Sequence, residues 1–139
     1  MVVKMATEIW NVDLTKSVNG IDFGLSRKEV RKRLNREYKE FKKGLFSKSI
    51  TDDYIDFHVF YDKSDRFIAI EVFSNVSVLV NDRHIFPGGI DQAIAILPDL
   101  KKDGEGYISY KNSVGIYAPE ETIESILFGK ENYYQHIAG

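Results

Sequence analysis

Residues 54 to 80 constrain this chain more than any other stretch, because YIDFHVFY, RFIAIEVF and VSVLV follow one another with only short polar joints between them. Each run is rich in β-branched and aromatic residues, and each is too short and too regularly alternating for a helix. They predict three consecutive strands of one antiparallel sheet, a central meander against which the rest of the chain must pack. The joint Asp62-Lys63-Ser64-Asp65 is turn-forming. A hairpin counted outward from Tyr61 opposite Arg66 sets Val59 against Ile68, Phe57 against Ile70 and Ile55 against Val72. One face is then apolar on both strands, and a slip of one residue would turn half of it outward.

The same count assembles the second face: Phe60 opposite Phe67, His58 opposite Ala69, Asp56 opposite Glu71 and Tyr54 opposite Phe73. Two carboxylates meet there, at a cost of a few tenths to about 1 kcal/mol if solvated. His58, two residues from Asp56, is the nearest cation. Asp56, His58 and Glu71, rimmed by Tyr54, Phe60, Phe67 and Phe73, are therefore the candidate partner-binding patch. The plain alternative is a solvated sheet face whose large rings suit strand geometry.

Around the meander the other elements follow from local signals. TEIWNVDL, residues 7 to 14, alternates as a strand with Trp10 toward a core, and Ser17-Val18-Asn19-Gly20 reads as a turn. Ser26 with Glu29 three residues on makes a capping box, and Leu25 and Val30 stand at the positions of a hydrophobic staple. Val30, Leu34, Tyr38 and Phe41 extend an apolar stripe, so a helix is expected over 26–43, with Asn35 a possible break and Gly44 the stop. Residues 44 to 53 read as a connection anchored by Leu45, Phe46 and Ile50. Asn81-Asp82 reads as a tight turn into a short strand, Arg83 to Phe86. Ile90, Ala93, Ile94 and Leu97 have helical spacing, giving a second helix over 90–97 that ends at Pro98. GYISY and VGIYA flank Lys111-Asn112-Ser113 as a second hairpin. TIESILF reads as a strand after a brief helical turn, and the tail from Gln135 as frayed.

Function is constrained mainly by exclusion. Between Arg27 and Lys43 nine basic residues stand against three glutamates, a local charge of +6, although the whole chain carries -2. The molecule is electrically polarised, but aromatics are not interleaved on the basic face as single-strand binding requires, so no nucleic-acid partner is expected. There is no cysteine, which removes thiol chemistry and thiolate metal sites. His58, His84 and His136 are scattered rather than at ligand spacing, so neither metal nor cofactor is expected. Pro87-Gly88-Gly89 has neither the lysine of a P-loop nor a GxGxxG. No Gly-x-Ser-x-Gly elbow appears, and the one acid–base set that can be assembled, Asp56, His58 and Glu71, lies on an open sheet; no catalytic residue is assigned. No run approaches the roughly 20 apolar residues of a membrane span, and MVVKMATEIW lacks the apolar run of a signal peptide. A cytoplasmic location without membrane contact is the expectation.

The segments IDFGLSRKEVRKRL, YIDFHVFYDKSDRFIAIEVF and GYISYKNSVGIYAPEETIESILFGKENYY together resemble a broad group of small bacterial proteins, many uncharacterised, that includes immunity proteins neutralising a toxin encoded beside them. The likeness is one of layout, resting on the phenylalanine-glycine before a capped helix and on the hairpin followed by an isoleucine-rich strand. It implies a protein partner and no cofactor or catalytic residue. At 139 residues with 43% hydrophobic content, the chain fits a single α+β domain over 1–139. The expected architecture is a mainly antiparallel sheet of about six or seven strands with two helices packed on one face. The expected function is non-enzymatic protein binding, with toxin neutralisation its most concrete form. The alternative is a small-ligand carrier or enzyme with a pocket over Asp56, His58 and Glu71. Oligomeric state is not specified by the sequence.

Overall fold

The computed structural model describes residues 8–42 and 50–138. The expected anchors Leu45 and Phe46 lie outside the described residues. Chain order gives β1 (Glu8–Asp13), β2 (Ser17–Val18), β3 (Ile21–Asp22), α1 (Arg27–Leu34), β4 (Lys39–Lys42), β5 (Ile50–Asp53), β6 (Phe57–Tyr61) and β7 (Phe67–Val72). It continues with β8 (Val76–Val80), β9 (Arg83–Phe86), α2 (Ile90–Ile96), β10 (Lys101–Asp103), β11 (Gly106–Ser109), β12 (Val114–Tyr117), β13 (Ser125–Gly129) and α3 (Tyr133–Ala138).

The α+β composition stands, but the layering differs from expectation. Instead of one sheet of six or seven strands under two helices, two sheets form, a five-stranded one ordered β3-β2-β1-β8-β9 and an eight-stranded one ordered β10-β11-β12-β13-β7-β6-β5-β4. The expected meander therefore divides: β6 and β7 pair in the larger sheet, whereas VSVLV becomes β8 of the smaller one and runs parallel to β1, with Trp10 beside Val78. Their inward faces share one core. Trp10, Val12, Val76 and Val78 of one sheet meet Phe57, Val59, Ile70, Val72, Ile126 and Phe128 of the other. The Trp10 ring sits edge-on to Phe57 with centroids 4.7 Å apart. A second sheet thus supplies the cover that the helices were expected to give, and sheet-on-sheet packing satisfies both alternating patterns at once.

The helices take smaller parts. The capping signal is real: Ser26 Oγ accepts from the Glu29 amide at 3.2 Å. The helix nevertheless stops at Leu34, not near Lys43, because Asn35 turns left-handed (φ 48) and its N–H closes on the Arg31 carbonyl. Tyr38 and Phe41, read as helical stripe, leave the helix, and Phe41 falls on the edge strand β4. Only Val30 of α1 is fully buried, while Ile90, Ala93 and Ile96 seat α2 next to β9. The tail from Gln135 belongs to α3 rather than to a frayed end; Asn132 (φ 64) reverses the chain, and the Tyr133 amide bonds to the Lys130 carbonyl at 3.0 Å.

The hairpin register also shifts. Asp62 Oδ1 accepts from the amides of Ser64 at 2.8 Å and Arg66 at 3.0 Å, and Asp65 is left-handed at φ 61. Tyr61 then faces Phe67 rather than Arg66, and a bulge between Phe60 and Tyr61 adds a second residue of slip, giving Val59 opposite Ile70, His58 opposite Glu71 and Phe57 opposite Val72. A two-residue slip matches the pleat period, so the apolar face survives. The one-residue step at the bulge moves Phe67 to the inner face beside Tyr61.

Candidate functional site

The outer face of the eight-stranded sheet, turned away from the shared core, carries the residues of interest. Strand pairing places Asp53 of β5, His58 of β6, Glu71 of β7 and Leu127 of β13 in one cross-strand row. His58 and Glu71 are thus direct neighbours, with Cβ atoms about 5 Å apart by strand geometry. His58 Nε2 lies 3.4 Å from Asp53 Oδ1. Its ring is met edge-on by Phe73 at 4.7 Å, Phe41 at 5.1 Å and Phe60 at 6.4 Å between centroids. A histidine so enclosed by phenylalanine edges and one carboxylate is a packed element of the face, not the floor of a deep pocket.

Of the seven patch residues expected from sequence, this face holds four: His58, Glu71, Phe60 and Phe73. The other three go elsewhere. Phe67, 1% exposed, and Tyr54 belong to the inner core, so neither rims the patch. Asp56 does not oppose Glu71; it sits in the turn before β6, where its Oδ1 accepts from Ser74 Oγ and Asn75 Nδ2, both at 2.9 Å. Asp53 takes its place as the acid beside His58. No pattern in ITDD announced this, since two adjacent aspartates argue against a strand.

From Glu71 the face continues into a groove of about 350 Å³ over β10 to β13, walled by Tyr117 and Tyr134 and bearing the carboxylates of Glu71, Asp103 and Glu105. Among the described residues that line it none is basic, and Lys101 of β10 stands at its margin opposite Ile108. Each of two carboxylates is steadied on one oxygen: Glu71 Oε2 accepts from Ser125 Oγ at 3.0 Å, and Glu105 Oε2 from the Tyr117 hydroxyl at 3.2 Å. Their Oε1 atoms have no hydrogen-bond partner among the described residues. The Glu105 charge and hydrogen bond raise the Tyr117 hydroxyl above its ordinary pKa, keeping it a donor. Tyr134 reaches the groove because position 115 is glycine: a Cβ there would lie 1.8 Å from the Tyr134 hydroxyl oxygen. Burial, foremost, pushes the Tyr134 hydroxyl well up, so it stays neutral.

No family model, no curated protein and no solved structure matches the chain. What the face can do therefore follows from its own chemistry. Among the described residues, no group of three or more His, Cys, Asp or Glu is placed to hold a metal ion. No helix among them is long and apolar enough to cross a membrane. The arrangement can receive cationic side chains, with carboxylates for charge and tyrosine faces for cation–π contact. Asp103, Glu105, Tyr117 and Tyr134 were not read as site residues. They reach Glu71 only through pairing of strands far apart in sequence, and a hairpin reading carries no signal of that.

Proposed function

We propose that this chain is a non-enzymatic protein-binding domain whose outer sheet face, from His58 through Glu71 into the tyrosine-walled groove, takes a basic segment of a protein partner. The single observation that carries this reading is the groove's lining: three carboxylates, tyrosine walls and, among the described residues that line it, no basic side chain. Buried aromatics supply affinity in such surfaces, and charge sets partner choice and association rate. A toxin whose active surface is rich in lysine and arginine is a partner of the required chemistry, and occlusion of that surface is how neutralisation would proceed.

The test is calorimetric titration with an arginine-lysine hexapeptide at low and high ionic strength, for the native chain and for a Glu71→Gln/Glu105→Gln variant. Binding that weakens with salt and falls about tenfold in the variant, equivalent to about 1.4 kcal/mol, supports the reading. No binding at low salt, or equal binding by the variant, removes the groove from it. For the toxin reading, the products of the genes beside this one are expressed with and without the chain: no lethal product, or one as lethal with the chain as without it, defeats neutralisation.

A further inference from the structure

We infer that a second copy of this chain is itself an occupant of the acidic groove, seated through the basic ridge of α1. This names a partner for the site proposed above and rests on that reading. The ridge is specified by what its cations do. Arg27 and Arg31 turn inward to Asp52, Arg33 pairs with Glu29 and Arg36 with Glu8. Lys28 and Lys32, one helical turn apart on one face, are exposed and make no ion pair among the described residues. Lys42, on β4 beside the helix, is likewise exposed and unpaired there. Arg31 ties α1 to this edge of the sheet, bonding Glu40 of β4 at 2.6 Å.

Ridge and groove are separate surfaces: α1 packs Val30 toward Val59, Phe67 and Ile70 on the inner side of the larger sheet, whereas the groove opens on the outer face of β10 to β13. Among the described residues no ion pair joins the ridge lysines to the groove carboxylates, so the two charge clusters do not pair within one molecule. Between molecules they do. Their opposite sign makes the lysine-bearing face of α1 complementary to the carboxylate-bearing groove. Because the two patches are different surfaces, the contact is heterologous, and repetition yields a ring or an open chain instead of a closed symmetric pair. One helix ridge in one groove buries a small area, so the association is weak and strongly dependent on salt.

Sedimentation velocity over a concentration series tests this at about 10 mM and at about 1 M salt, where screening lengths are about 30 Å and about 3 Å. The expected result is a weight-average mass that climbs above 16.0 kDa with concentration at low salt and returns to it at high salt. Two variants at exposed positions preserve the fold: a ridge variant, Lys28→Glu/Lys32→Glu, and a groove variant, Asp103→Lys/Glu105→Lys. Each alone should lose self-association completely, and their equimolar mixture should regain it, since the groove variant keeps the native ridge and the ridge variant keeps the native groove. A native chain that stays monomeric at low salt, single variants that associate like it, or a mixture that stays monomeric each overturns the inference. The arginine-lysine hexapeptide titrated into the native chain separates the two ideas: peptide binding by a native chain that stays monomeric at low salt overturns only the second-copy assignment, whereas absence of both overturns the groove.

Discussion

Arg31 grips the buried carboxylate of Asp52 with two parallel hydrogen bonds, Nε to Oδ2 at 2.8 Å and Nη2 to Oδ1 at 2.7 Å. Arg27 adds a third, Nη1 to Oδ1 at 3.2 Å. Asp52 is fully enclosed, 0% exposed, on an inward-facing position of β5 that the sheet pattern would give to an apolar residue. The three charges lock α1 to the larger sheet where the helix buries only Val30 fully and packs Leu34 partly against the core. Asp52 also raises the Arg31 guanidinium above its ordinary value, so the cation is present at every accessible pH.

Breaking that grip from either side should be costly, because the remaining charge keeps its burial and loses its partner. Asp52→Asn is expected to destabilise the fold by about 3 kcal/mol, and Arg31→Met by a similar amount. Replacing both by Asp52→Leu with Arg31→Met should cost clearly less than the sum of the singles, since no unpaired charge is then buried. Urea unfolding of the three variants measures this, and additivity within experimental error would mean that the pair does not act as a unit.

Tyr54 and Tyr61 flank the same network, and their hydroxyls are buried with no hydrogen-bond partner among the described residues. A buried donor left unmade costs about 1–3 kcal/mol. Tyr61→Phe, which keeps the ring under the Arg27 guanidinium 4.1 Å from its centroid, should therefore stabilise the protein by about 1 kcal/mol. The pH dependence has a definite sign. Burial first, and the Asp52 charge second, push the Tyr54 hydroxyl from 10.0 up to about 12, and the same two causes raise Tyr61 further. A folded value above the unfolded one means that the contribution is complete below pH 10 and lost as pH rises through about 12. Denaturation measured from neutral pH to about 12 should show stability falling only above about 10, and the Tyr54→Phe/Tyr61→Phe variant should flatten that fall.

What could be read before folding was local. The Ser26 cap needs only residues three apart and the Asn81-Asp82 turn needs two left-handed positions (φ 52 and 61), and both formed where expected; the strand read in TIESILF, which needs only alternation, formed over Ser125–Gly129 without the helical turn expected before it. What could not be read was everything set by partners distant in sequence. The parallel pairing of β1 with β8 sends the third run of the meander to another sheet, and nothing within VSVLV specifies its neighbour. Asp52 and Asp53 looked like connector residues because their propensity is poor for a strand, and only Arg27 and Arg31 arriving from α1 make a buried aspartate tolerable there. The patch was half legible for the same reason: alternation put His58 and Glu71 on one face, but a bulge, invisible to alternation, carried Phe67 to the other.

Ile55 sets an exposed side chain, 83% accessible, on a backbone that β-branched residues avoid, φ 74, at the centre of a three-residue turn closed by the Asp56 amide on the Tyr54 carbonyl at 2.9 Å. Such a conformation costs of order 1–3 kcal/mol, and the side chain recovers little by burial. Ile55→Gly removes the strain at an entropic cost of about 0.5–1 kcal/mol. A net gain of about 1 kcal/mol is expected in chemical denaturation. A loss of stability would mean that the isoleucine makes compensating contacts.

Gly115 decides whether α3 can close the groove. Its position in β12 has no left-handed backbone requirement, so Gly115→Ala carries no conformational penalty, and its effect is steric alone. The new methyl would stand 1.8 Å from the Tyr134 hydroxyl oxygen and 2.8 Å from the ring carbon that bears it, so the ring must swing away from the sheet. Tyr133 is held differently, with its Cβ 2.7 Å from where a side-chain carbon at position 129 would lie, and it remains docked on Gly129. The variant should therefore keep both sheets and lose one wall of the groove. The expected outcome is a small loss of global stability, about 1 kcal/mol, with faster amide exchange confined to α3 and a lower pKa for Tyr134 as burial is relieved. Global unfolding at the same denaturant concentration as the native chain, with α3 exchange unchanged, would show that Tyr134 does not depend on the glycine for its seat.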